Sequence, residues 1–71
     1  MDDQRVGAAL RAVRQRRGWR QHDLAIAARI SQSTVSRLER GHLDQLPTST
    51  IRRAMAALDL RLELFVRWRG G

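Results

Sequence analysis

Cysteine does not occur in these 71 residues. That excludes disulfides and thiolate metal sites, and it points to a reducing compartment. Lysine is missing too: all fourteen basic side chains are arginine, set against seven acidic ones, for a formal charge of +7. So large an excess in so short a chain implies a polyanionic partner, either nucleic acid or an anionic membrane surface. Arginine suits phosphate and guanine through planar, bidentate contacts, although a GC-rich genome explains its exclusive use equally well. No apolar run approaches the ~20 residues that span a bilayer. The start Met1-Asp2-Asp3 has no basic segment leading into an apolar one, so no secretion signal is read there. The expectation is a soluble, cytoplasmic protein.

Chemistry-bearing constellations are equally scarce. His22 and His42 have no cysteine or second histidine at ligand spacing, so no metal is expected. Ser31, Ser33, Thr34 and Ser36 lack a base backed by a third orienting group, so no nucleophile is assigned. No glycine-rich phosphate loop is present. The expectation is a protein that is not an enzyme and uses no cofactor.

What is present is helical periodicity. A first helix is expected over 5–17, with Val6, Ala9, Leu10 and Val13 as its apolar face and Gly18 as its stop. Trp19 would cover the junction to a second helix over 21–28, which turns Leu24, Ala25 and Ala28 inward. Ile30 plugs a tight corner and Ser31 is a natural N-cap for a third helix over 32–40. That helix buries Val35 and Leu38, shows solvent a run of small polar residues, and ends at Gly41. Residues 42–47 read as a loop. A fourth helix starts near Thr48, Ser49 and Thr50, each able to cap, and runs to Leu58 with Ile51, Ala54, Met55 and Leu58 as its buried stripe.

The period then changes. Leu60, Leu62, Leu64, Val66 and Trp68 alternate with Arg61, Glu63, Phe65 and Arg67, the pattern of a half-buried strand. No other segment reads as a strand, and an unpaired one with an apolar face is unstable alone. A two-fold dimer, with two copies pairing as an antiparallel ribbon, resolves this. An axis near Leu62 sets Arg61 against Glu63 of the second copy, whereas an axis on Leu64 would oppose Arg61 with Arg67. The first register is expected. One domain this small sits near the lower limit for a single core, which also favours help from a second copy. The expected fold is therefore all-α with four helices over 1–59, followed by a dimerisation strand and tail over 60–71.

Gln21, Leu24-Ala25, the Ile30-Ser31 corner, Val35 and the closing Leu38-Glu39-Arg40-Gly41 resemble the phage-repressor-like, or Xre-type, helix-turn-helix domains. The resemblance covers about residues 5–60 and implies a lambda-repressor-like fold that binds double-stranded DNA. It implies base contacts from Gln32, Ser33 and Arg37 on the third helix. It implies that Arg14 pairs with Glu39, which otherwise opposes the helix macrodipole. Gln21, at the positive end of the second helix, is placed to receive a phosphate. Arg20, Ser36, Arg40 and His42 are the further phosphate candidates, while Arg11, Arg16, Arg17, Arg52 and Arg53 read as solvated charge. One departure is Arg29, which occupies the corner position where the family usually has glycine at positive φ. The function implied is a homodimeric transcriptional regulator, a repressor or autoregulator on a pseudo-palindromic operator. The alternative is an antitoxin, or the DNA-binding module of a longer protein, whose main partner is a toxin or other protein. A membrane-coating role fits the charge but not the motif.

Overall fold

The computed structural model describes residues 2–61. The expected strand positions Leu62, Leu64, Val66 and Trp68 lie outside the described residues. Four helices follow one another: α1 (Asp3–Arg16), α2 (Gln21–Ala28), α3 (Gln32–Glu39) and α4 (Thr48–Ala57). A 3-10 turn, Leu43–Gln45, separates α3 from α4. The fold is all-helical across the described residues, as the sequence periodicity requires.

Each boundary has a local cause. Asp2 caps α1 by accepting the Arg5 backbone N–H at 3.2 Å, so the helix begins earlier than its apolar stripe. It stops at Gly18, whose φ of +70° is the left-handed conformation that glycine adopts without penalty. Asp23 accepts the Arg20 backbone N–H at 2.7 Å and so supplies one half of a capping box at the start of α2. Arg29 closes α2 at φ 59° and ψ 46°, so the corner keeps the left-handed conformation even without glycine. Ser31 then caps α3, its Oγ accepting the Thr34 N–H at 3.1 Å.

Leu10, Leu24, Val35, Leu38 and Leu58 form the fully buried centre, with Ala25, Ala28, Leu43, Ala54 and Met55 around them. Val6, Val13, Trp19, Ile30, Ile51 and Leu60 pack against this centre from its edge. α1 and α2 both pack on α3, and α4 packs on α2. α3 is thus held on its apolar side by two elements, which leaves its polar side outward.

Four expectations need correcting. Ala9 is exposed and does not belong to the buried face of α1, where Gly7 and Arg14 lie instead. Residues 42–47 are not a plain loop, because the 3-10 turn drives Leu43 into the core. Pro47 holds the N-cap position of α4, and no side chain caps that helix, so Thr48, Ser49 and Thr50 do not serve as caps. Arg17 is not simply solvated: its Nη2 donates to the Leu58 carbonyl at 3.2 Å and to Asp59 Oδ2 at 2.9 Å. Its guanidinium also lies 5.4 Å from the centroid of the Trp19 ring.

Candidate nucleic-acid interface

The two sides of α3 differ sharply. Val35 and Leu38 are buried, whereas Gln32, Ser33 and Arg37 are exposed. The period of 3.6 residues per turn puts these two sets on opposite flanks. Ser31 Oγ lies 3.0 Å from Ser33 Oγ and 2.7 Å from Thr34 Oγ1, so the hydroxyls at the start of α3 form a local chain. Ser33 therefore enters any contact with one of its bonding positions already occupied. The side chains of Gln32 and Arg37 make no hydrogen bond among the described residues, although the Arg37 carbonyl accepts the His42 N–H at 3.0 Å. Ser36 is half-buried and its carbonyl accepts from Arg40 Nε at 3.3 Å, which folds the Arg40 side chain back along the helix. His42 is exposed just beyond Gly41.

α3 is braced from behind by a buried ion pair. Arg14 Nε donates to Glu39 Oε2 at 2.6 Å and Arg14 Nη2 to Glu39 Oε1 at 2.9 Å. Only 9% of the Arg14 side chain and 4% of the Glu39 side chain remain accessible, so this is a desolvated pair and not a surface one. Arg14 Nη1 also donates to the Trp19 carbonyl at 2.7 Å. The hydrogen bond that Arg14 donates to Glu39, opposed by burial, raises the pKa of the guanidinium above its ordinary value. Gln21 joins the same group, its Nε2 donating to Glu39 Oε1 at 3.3 Å. No buried side-chain nitrogen or oxygen among the described residues lacks a partner. The amino end of α2 and the carboxyl end of α3 therefore share one carboxylate.

Arg20 is exposed, and its Nε and Nη2 both lie 3.4 Å from the Asp23 carboxylate. Asp23 is held below its usual range chiefly by the Arg20 backbone N–H and then by the Arg20 side chain. Arg20 can turn to a phosphate only by leaving a weak surface pair. Two residues of the framework give no sequence signal of their own. Arg17 looks like any charged position on a helix, and Gly7 carries no side chain to contribute to periodicity. No helix among the described residues is long and apolar enough to cross a membrane. No group of three or more potential metal ligands occurs among them either.

A comparison with curated proteins finds no match. A family model described as a helix-turn-helix domain matches residues 5–68, from the third residue of α1 through α4 and past it. In such domains the second helix of the motif enters the major groove while the first crosses the backbone; here α2 and α3 are consecutive helices that pack on each other. With an outward polar flank on α3 and a match over most of its length, the chain belongs to the helix-turn-helix domain family, a DNA-binding class.

Proposed function

We propose that the protein is a sequence-specific transcriptional regulator that binds double-stranded DNA as a homodimer and acts by occupying a pseudo-palindromic operator. The observation that carries this is the division of α3: Val35 and Leu38 are buried, whereas Gln32, Ser33 and Arg37 face solvent. Gln32 matches the two-point edge of adenine, and Arg37 matches the two acceptors of guanine. Ser33 adds a shorter contact at the start of the helix. Arg20, Gln21, Ser36, Arg40 and His42 flank this face and contact phosphates, which fix the register of the domain on the duplex. The charge of +7 makes affinity fall steeply as salt rises.

Residues 62–71 supply the dimer contact, since Leu60 closes α4 through its N–H to the Met55 carbonyl at 2.8 Å. The alternation of Leu62, Leu64, Val66 and Trp68 with Glu63, Phe65 and Arg67 supports a strand that pairs with its copy. Two recognition helices related by that axis meet half-sites about 34 Å apart, one turn of duplex. Occupancy alone suffices for repression, because it excludes polymerase without any chemistry. Among the described residues the one exposed large apolar side chain is Ile26, at 64%. A lone exposed isoleucine is too little surface to argue for a toxin or other protein partner.

Selection of bound duplexes from a random pool tests the proposal. Recovery of an inverted repeat with a fixed spacing is the expected result. Recovery of no consensus, with binding that tracks only duplex charge, would overturn it.

A further inference from the structure

Gln21 is the first residue of α2 and Glu39 the last of α3, yet their side chains meet at 3.3 Å inside the ion-pair network. The neighbouring bonds form a closed circuit. Arg14 holds the Trp19 carbonyl through Nη1 and Glu39 through Nε and Nη2, and Glu39 holds Gln21. The start of α2 is thereby fixed twice, at the backbone of residue 19 and at the side chain of residue 21.

A carboxylate accepts hydrogen bonds and cannot donate them. Beside Glu39 the Gln21 carboxamide must therefore present its NH2 and not its carbonyl oxygen. One of the two hydrogens on Nε2 meets Glu39, and the planar amide directs the other away from it. A phosphate oxygen also needs a donor. An amide left to rotate would offer it the wrong atom in half of its orientations. Arg14 completes the arrangement by neutralising Glu39, which would otherwise stand as an unpaired anion one side chain away from the phosphate.

We propose that Glu39 is a positioning residue for DNA binding: it locks the Gln21 carboxamide with an N–H directed at a backbone phosphate, and Arg14 holds Glu39 in place for that purpose. This rests on the reading of Gln21 as a phosphate contact. It goes beyond that reading by making the contact depend on a side chain that never touches DNA. It also accounts for an ion pair where apolar residues of similar volume are often at least as stabilising.

The test is a cycle of affinities for one selected duplex. It uses Gln21→Ala, the double substitution Arg14→Met with Glu39→Met, and all three changes together. Replacing both partners avoids stranding a buried charge, so the double variant is expected to fold. In the native background Gln21→Ala should weaken binding about tenfold, the loss expected for a hydrogen bond to a charged group. The double variant should show a similar loss although its melting temperature is retained, and adding Gln21→Ala to it should cost less than twofold more. An unchanged tenfold effect of Gln21→Ala in the double variant would overturn the inference while leaving the phosphate contact intact. No effect of Gln21→Ala in the native protein would overturn the contact and the inference together.

The native protein supplies a second readout that does not depend on the double variant folding. The Gln21 side-chain NH2 protons should be well dispersed in the free protein by nuclear magnetic resonance, and they should move again when duplex is added. Free-protein shifts equal to those of a solvated glutamine would contradict the lock.

Discussion

Gly7 of α1 lies so close to α3 that a Cβ built on it would stand 2.5 Å from the Leu38 carbonyl oxygen and 2.8 Å from that of Glu39. Those atoms belong to the helix backbone and cannot swing aside. Alanine improves helix propensity over glycine by about 1 kcal/mol in a free helix. Here overpacking costs about 1–3 kcal/mol and forces α1 away from α3. Gly7→Ala is therefore expected to lower the urea midpoint despite its better propensity, and Gly7→Val to lower it further. A rise on Gly7→Ala would show that α1 does not bear on the end of α3.

Glu39→Gln leaves the Arg14 guanidinium buried without a counter-charge, since Arg14 is itself only 7% exposed. Removing one partner of such a pair costs about 3–5 kcal/mol, a large share of the stability of so small a domain. Urea or thermal unfolding measures it directly. Arg5→Ala is the control: its contact with Asp2 is a 3.7 Å surface pair between exposed side chains, and the change should leave the midpoint almost unmoved.

Arg29 and Asp59 both sit in the left-handed region, at φ 59° and 57°, where a Cβ costs about 1 kcal/mol. Their contexts separate them. Arg29 has no side-chain partner among the described residues, so Arg29→Gly should stabilise the fold by up to about 1 kcal/mol. Asp59→Gly relieves the same strain but removes the 2.9 Å bond to Arg17, so it should gain less. The difference between the two melting shifts reads the Arg17–Asp59 bond alone, since the Arg17 bond to the Leu58 carbonyl remains.

Asp23 predicts a pH dependence. Its folded value lies below the ordinary 3.8, first because the Arg20 backbone N–H bonds the ionised form. A depressed carboxyl stabilises the fold above its unfolded value, and that stabilisation disappears as pH falls through the lower folded value. The native protein and Asp23→Asn should therefore differ most in urea midpoint near neutrality and converge in acid. A difference that grew on acidification would assign the wrong ionisation state to the cap.

The sequence and the structure agree where side-chain chemistry repeats. The bounds of α2, the start of α3 at Gln32 and the cap at Ser31 follow from apolar spacing and one hydroxyl. The Arg14–Glu39 pair was implied by resemblance, and its bidentate geometry is now observed. Gly7 and Leu43 were missed for opposite reasons: a glycine adds nothing to an apolar count, and a single leucine in a loop has no period. Arg17 was unreadable because its partners lie more than forty residues downstream, at the carbonyl of Leu58 and the side chain of Asp59. The link from Gln21 to Glu39 likewise depends on how two helix ends meet, which no local pattern encodes. In Leu60 the alternation reads a strand position, while the structure shows its N–H donating to the Met55 carbonyl at 2.8 Å and its side chain packed at the edge of the core. A test of the dimer strand by truncation should accordingly cut after Arg61 and keep the cap of α4.

The most direct measurement compares the native protein with Arg37→Ala on duplexes that each differ at one base pair of a selected operator. If the outward flank of α3 reads bases, the variant loses about 1–3 kcal/mol on the intact operator and becomes indifferent to one base pair in each half-site. An equal loss on every duplex, or no loss on any, would contradict a base-reading role for that flank.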